Sequence, residues 1–435
     1  MDTVTTRRSR RRRVHLPLFF FSAAFLLVFF QTCTVSLGLN YTNYRPVGTL
    51  RLARIQRHLD KINKPSIKTI QCPDGDIIDC VHKHKQPALD HPLLKNHKIQ
   101  RVAPEKPKVR MVSRDNGSEG VRRAWQTWHQ EGERCPKGTI PIRRSTVHDV
   151  LRAKSLYQFG KKERGSSLLP QSRSIAPDVV SGNGHEHAIA YTGTSQEMYG
   201  AKATINVWDP SIQVVNEFSL SQIWVLSGSF DGSDLNSIEA GWQVSPELYG
   251  DSQPRLFTYW TSDAYQTTGC YNLLCSGFVQ TNSEIAIGAS ISPVSHYSGN
   301  QYDITMLIWK DPKLGNWWLG FADNTLVGYW PAELFTHLAD HATMVEWGGE
   351  VVNTRPNGEH TSTQMGSGHF AELGFGRASY FRNLEVVDAD NSLSSVEDIS
   401  SLAENTNCYN IMSSFSNEWG THFYYGGPGQ NPQCQ

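Results

Sequence analysis

The chain has 435 residues, with 41 Lys and Arg against 41 Asp and Glu and a formal net charge of zero. That balance conceals a change of sign: up to Val180 there are 34 basic and 14 acidic side chains, and from Ser181 to Gln435 there are 7 and 27. A segment of net charge +20 joined to one of −20 reads as two parts that attract each other. Carboxylates titrate near about pH 4, so the attraction is expected to fail in acid. This is the charge plan of an acid-activated zymogen. A basic half that binds nucleic acid or anionic lipid is the competing reading, and the N-terminus argues against it.

Arg7, Arg8 and Arg10 to Arg13 form a basic start, followed by an apolar run from Leu16 to Phe30 broken only by Pro17 and Ser22. The run falls short of the about 20 residues a membrane span needs. Ser36 and Gly38 permit cleavage before Leu39, so residues 1–38 read as a secretory signal peptide, with an uncleaved signal anchor as the alternative. Either way the rest enters an oxidising lumen. No Cys-x-x-Cys or His/Cys cluster has metal spacing, and the cysteines read as disulfides. Spacing suggests Cys72 with Cys80, Cys270 with Cys275 and Cys408 with Cys434, leaving Cys33 in the signal and Cys135 single. Glycosylation sequons at Asn40 and Asn116 both fall in the basic half.

Residues 39–165 read as a basic, α+β or irregular propeptide domain. Leu52, Ile55, Leu59 and Ile62 give it one amphipathic helix. Arg134 to Arg144 is extended, and Ser145 caps a helix through Val150 and Leu151. Residues 166–184, rich in Ser, Gly and Pro, form a linker and processing region, with Lys162, Arg164 and Arg173 as cleavage points. Residues 185–435 hold 10 of the 12 Trp. Short strands are predicted at 201–208, 218–226, 238–244, 256–260, 302–309, 317–321, 326–330, 344–352 and 378–387, with a helix from Pro331 to Leu338. So many strands without long alternating helices predict an all-β protein, an antiparallel β-sandwich.

The common nucleophile signals are missing: the sequence has no G-x-S-x-G, HExxH, P-loop, Asp-Thr-Gly or Asp-Ser-Gly. Carboxylates on strands remain. Alternation along Ile238 to Val244 puts Ile238, Ala240, Trp242 and Val244 on one face and Glu239, Gly241 and Gln243 on the other. A second Glu, Glu350, follows Gly348-Gly349, where a bulge or a close approach is expected. Glu346, four residues earlier, shares its face on an undistorted strand. Two such Glu facing one cleft can split the roles of base and acid on a water. Gln243 is a candidate to hold the oxyanion, and Trp242, Trp260, Trp330 and Trp347 are candidates for an aromatic slot that stacks on proline. His185 and His187, without a third partner, read as ordinary surface. His360 and His369 read as structural histidines.

Asp234-Leu-Asn-Ser-Ile-Glu-Ala-Gly-Trp-Gln-Val-Ser-Pro-Glu-Leu-Tyr-Gly-Asp251 resembles the signature of the neprosin family of plant secreted glutamic peptidases. Arg255 to Asp263, Thr268 to Phe278, Trp347 to Val351, Gly366 to Phe370 and Tyr424 to Gly429 match as well. Gly75 to Cys80 and Pro136 to Arg144 are similar to that family's activation peptide. The resemblance implies a β-sandwich endopeptidase made as a proenzyme, active in acid, cleaving after proline, and needing neither metal nor cofactor. It puts the catalytic pair at Glu239 and Glu350, and it matches the Cys270–Cys275 and Cys408–Cys434 bridges. The implied partners are proline-containing peptides and the protein's own propeptide as intramolecular inhibitor. Neither nucleic acid nor, once the signal is cleaved, a membrane is implied. The implied location is the apoplast or a vacuole. A carbohydrate-binding or glycoside-hydrolysing cell-wall sandwich is the alternative function.

Overall fold

The computed structural model describes residues 48–109, 121–129, 132–162, 184–193, 196–229, 234–322 and 325–435. The signal segment, Cys33, Asn40, Asn116 and nearly all of the 166–184 linker lie outside the described residues. Thr49–Gln435 form one compact unit, so the basic and acidic halves share a single body.

The basic half opens with α1 (Thr49–Ile62), whose Ile55 and Leu59 are buried as the helical spacing predicts. Strands β1 (Ser66–Gln71), β2 (Ile77–His82) and β3 (Thr139–Arg143) make an antiparallel sheet in that order. The short α2 (Val147–Arg152) begins at Thr146, not Ser145. Thr146 and Asp149 form a reciprocal capping box, which leaves Ser145 outside the helix.

The acidic half is the predicted all-β sandwich. One sheet runs β7-β6-β5-β8-β4-β9, from β4 (His185–Tyr191), β5 (Ser219–Ser227), β6 (Asn236–Val244), β7 (Arg255–Thr261), β8 (Met344–Val352) and β9 (Ser400–Ala403). The other has eleven strands, including Gly200–Asn206, Gln301–Lys310 and Ser379–Val387. Alternation divides each strand of the first sheet between two environments. Ala188, Ile223, Ala240, Trp242, Trp260, Val345 and Trp347 join the core against Ala203, Ile205, Met306, Ile308 and Phe381 of the second sheet. The opposite face carries Glu239, Glu346 and Glu350.

The helix predicted over 331–338 is only a 3-10 turn at Ala332–Leu334. The side-chain oxygen of Asn236 accepts from the N–H groups of Thr336, His337 and Leu338, so those donors do not turn back into a helix. Strands at 185–191, 392–395, 400–403, 410–416 and 420–426 were not among those predicted; the last four are short or polar.

The basic half is built into the larger sheet. Lys108–Val109 and Val121–Arg123 add parallel strands to it. Two buried glutamines imitate strand pairing: Gln86 donates to Gln280 O (3.0 Å) and accepts from Gln280 N (2.8 Å), and Gln126 treats Ala286 O and N alike.

The cysteine pairing needs one correction. Cys80 bonds to Cys135, with Cα atoms 5.4 Å apart, and Cys72 is the free thiol, so the Cys72–Cys80 pair does not form. In the β1–β2 register Cys80 stands opposite Lys68, four residues from Cys72. At about 3.3 Å per residue that offset is roughly 13 Å, beyond the about 7 Å a disulfide can close. Cys270–Cys275 and Cys408–Cys434 pair as expected. Burial, with Asp74 and Asp76 nearby, pushes the Cys72 thiol up to about 12. Among the described cysteines, alkylation of the native proenzyme is therefore expected to label none, and alkylation after denaturation without reduction to label Cys72 alone. Label on Cys135 would overturn this pairing.

Candidate active site

The sheet's register decides which side chains meet. On the face away from the core, Trp224 of β5 stands between Glu239 of β6 and Glu346 of β8, and Leu220 faces Glu350. Gln222 lies between these rows, opposite Gly241 and Gly348. Glu239 and Glu350 are 0% and 2% exposed. Gly241 owes its place to close approach: a Cβ there would lie 2.0 Å from Ser221 O and 2.6 Å from Gln222 Cα.

The two carboxylates are brought together by a residue of the basic half. After α2 the chain turns across the cleft, where Gly160 O accepts from Tyr271 N (2.8 Å) and Lys162 N donates to Tyr259 Oη (3.1 Å). Lys162 then extends its ammonium to Glu239 Oε2 at 3.1 Å and Glu350 Oε2 at 3.4 Å. The sequence marked Lys162 as a processing point, but its ammonium is buried. A cavity of about 260 Å³ remains beside the tail, between Phe159 and Lys162 on one side and Phe218, Leu248, Tyr271 and Val352 on the other.

Each carboxylate has further donors that sequence reasoning missed. Glu239 accepts from Gln222 Nε2 (3.1 Å), Ser237 Oγ (3.1 Å) and Tyr265 Oη (2.8 Å). Tyr265 reaches it from a loop in which Ala264 and Tyr265 both have left-handed backbones, φ 53° and 62°. The Asp263 carboxylate holds that strained loop by accepting from the N–H groups of Gln266, Thr267 and Thr268. Burial raises Asp263, yet these bonds and those from the threonine hydroxyls bring it down to about 2. Glu350 is bonded by His185 Nδ1, with His187 4.0 Å away. Burial pushes the Glu350 carboxyl up, but Lys162, His185 and His187 together hold it well below the usual carboxylate range. His187 is itself lifted to about 9, against its burial, by Glu404, Glu350 and Glu346.

His185 and His187 are thus part of the site and not the ordinary surface the sequence suggested. Alternation along β4 puts both on the cleft face, the signal that could have found them. Five expected residues are elsewhere. Trp242, Trp260 and Trp347 lie in the core on the far face of the sheet, and Trp330 is equally buried, so none forms a slot over the carboxylates. Gln243 shares the face of Glu239 but donates to Tyr249 Oη (2.9 Å); Gln222 is the glutamine on Glu239. Glu346 is buried on the same face as Glu350. His360 is structural as expected, bonded to Glu186. Among the described residues His360, Cys408 and Cys434 have their ligand atoms close enough for a metal, but both sulfurs are used in the disulfide.

The opposite net charges do not act through many surface pairs. Asp76 with Arg255 (2.5 Å) and Glu105 with Lys313 (3.1 Å) join the halves with polarity against the net charge. Arg255 is fully buried, and Asp76 also takes Arg143 at 2.7 Å. Among the described residues the grip combines the buried Asp76–Arg255 and Lys162–carboxylate pairs with exposed ones such as Arg134–Glu284 (3.5 Å).

A family model described as neprosin activation peptide matches residues 69–191, and one described as neprosin matches 215–428. Among solved structures, scytalido-glutamic peptidase with a peptide-based transition-state analogue is 13% identical with a TM-score of 0.31, covering 56% of this chain and 98% of its own. SCP-B, a member of the eqolisin family of peptidases in complex with the tripeptide Ala-Ile-His, is 11% identical with a TM-score of 0.29, covering 56% and 96%. A likeness this slight transfers neither residues nor substrates. The matched domains define a glutamic-type peptidase made with its own activation peptide. The chain belongs to the neprosin family.

Replacing Lys162 by Met removes the only cation named here on Glu239 while leaving both carboxylates buried. The variant proenzyme is expected to lose about 3–5 kcal/mol at neutral pH. The loss shrinks near pH 3. With Lys162 present, Glu350 stays ionised far below the value it has unfolded, whereas the variant's carboxyls take up protons there. Equal losses in thermal stability at both pH values would contradict this account of the site.

Proposed function

We propose that the protein is a secreted, acid-activated endopeptidase in which Glu239 and Glu350 activate a water to hydrolyse peptide bonds, preferentially after proline. The observation that carries the pair is the single Lys162 ammonium within hydrogen-bond reach of both carboxylates. When Lys162 withdraws, the space its side chain filled beside the carboxylates opens to water. Two buried carboxyls that near do not both stay ionised. His185 and His187 beside Glu350 favour its anion, making it the base, while the neutral donors Gln222, Ser237 and Tyr265 leave Glu239 to carry the proton. Glu350 takes a proton from the water, the water oxygen attacks the carbonyl carbon, and Glu239 donates to the carbonyl oxygen. The proton on Glu350 then passes to the amide nitrogen, the C–N bond breaks, and a hydroxyl proton of the intermediate returns to Glu239, leaving the acid, the amine and both carboxyls as they began.

The proline preference rests on the family resemblance. Disulfides fit an oxidising compartment, and among the described residues no helix is long and apolar enough to cross a membrane.

Glu239→Gln and Glu350→Gln are each expected to abolish turnover of a proline-rich peptide in the processed enzyme, and Glu346→Gln to reduce it less than tenfold. Full activity in either of the first two variants would sink the pair. Cleavage of proline-free peptides at equal rates would sink the specificity alone.

Mild acid does not release the tail by protonating Glu350, whose carboxyl is held low. Histidines kept neutral by burial respond first. Burial and Lys61 push His58 down, and its ring stands edge-on to Phe159 at 5.9 Å, three residues before Lys162. Burial also lowers His91, packed on Trp260 at 5.8 Å. A histidine depressed on folding favours the docked state above its unfolded value near about 6.5, and that contribution is lost as pH falls below it. His58→Phe, which keeps a ring that cannot charge, is expected to lower the midpoint pH of proenzyme conversion by on the order of half a unit. An unchanged midpoint would remove His58 from the trigger.

A further inference from the structure

Gln222 carries a buried atom that the roles above leave unused. The residue is 0% exposed, in the middle of β5. Its Nε2 donates at 3.1 Å to Glu239 Oε2, the same oxygen that meets the Lys162 ammonium. Its Oε1 is buried and accepts from no donor. The Glu239 anion fixes which end of the amide faces it, because the reverse orientation would set a carbonyl against a carboxylate oxygen. A buried carbonyl oxygen left unpaired is costly, so an atom kept this way calls for a donor that arrives later. Nothing stands between the amide and its neighbours at that level: the residues opposite on β6 and β8 are Gly241 and Gly348. The amide is therefore flanked by the strands that carry Glu239 and Glu350, with no side chain directly opposite it on either.

We propose that Gln222 is a third catalytic group, its Oε1 accepting a hydrogen bond from the attacking water. This rests on the Glu239–Glu350 reading. One O–H of the water points to Glu350 and is the bond that breaks, its proton passing to that carboxylate. The other O–H is held by Gln222 Oε1 and stays intact through the attack, which turns the oxygen lone pair towards the carbonyl carbon. The carbonyl π electrons move to oxygen, which takes the Glu239 proton. Meanwhile Gln222 Nε2 keeps Glu239 Oε2 in place for that transfer. In the proenzyme Lys162 excludes this water, and the amide oxygen goes without a partner.

The processed enzyme is compared with Gln222→Leu, which keeps the bulk, and Gln222→Glu, which keeps the shape. In Gln222→Leu, kcat is expected to fall by about 10²–10³-fold, the scale of losing one aligned polar contact to a reacting group, with KM changed less than about threefold. In Gln222→Glu the added carboxyl is an anion near neutrality and repels the pair, but once protonated it offers an O–H and a carbonyl as the amide does. Its pH optimum should move to lower pH, with part of the activity regained there, a response that a filler of space does not give. If Gln222→Leu fails to fold, the Gln222→Glu profile decides. Should kcat stay within threefold, or the Gln222→Glu profile coincide with the parent's, Gln222 has no catalytic part. Loss in Gln222→Leu alongside an active Glu239→Gln would instead overturn the pair on which the proposal rests.

Discussion

One ammonium group between two buried carboxylates governs the rest of this molecule. Glu239 and Glu350 come from strands with β5 between them, on a face stripped of water by the tail that ends in Lys162. Isolated charges are not stable in such a place, and a pair of like charges less so. Lys162 settles the electrostatics and fills the space where chemistry belongs. Inhibition and stability of the proenzyme are therefore one interaction. Inhibitory strength cannot be tuned at this position without changing how well the precursor folds.

The surroundings of the two carboxylates differ in kind. Glu350 has imidazoles, one of them held near about 9 by Glu404 and its neighbours, and Glu239 has an amide and two hydroxyls. That asymmetry persists when the chain is cut before His185, because every one of these groups then stays with the acidic half. The strained turn at Ala264 and Tyr265 is held by Asp263 through backbone bonds, and the ring packs on Tyr259, which together secure the hydroxyl in place. In the mechanism proposed, the difference between a base and an acid is built from second partners of two chemically identical side chains.

The sequence spoke clearly wherever one period dominated. Strand alternation through Ile238–Val244 and Met344–Val352 separated the core tryptophans from the glutamates, and α1 followed its helical spacing. It misled where a residue's partner is distant in the chain. Trp242, Trp260 and Trp347 are aromatic and near the matched motifs, yet alternation already assigned Trp242 to the face opposite Glu239. Cys80 prefers Cys135 over the nearer Cys72 because hairpin register sets the distance. Lys162 and His187 have ordinary local contexts, and only a register spanning more than 70 residues gives them meaning. Opposite net charges of the halves were legible, but the contacts that join them are specific, which a charge count does not contain.

The glutamines that imitate a neighbouring strand have a consequence for the enzyme's history. Gln86 and Gln126 close the backbone groups of Gln280 and Ala286, in a stretch where Ala286 and Ala289 pack against Ile70, Ile78 and Trp128 of the basic half. Separating the halves opens those groups to water and strips that apolar patch of its cover. A domain completed on a surface it later discards has no reason to find the same shape unaided. Its persistence after maturation is then a matter of barrier height and not of depth. Such a catalyst is assembled once, runs on the time its unfolding takes, and is not renewed by refolding.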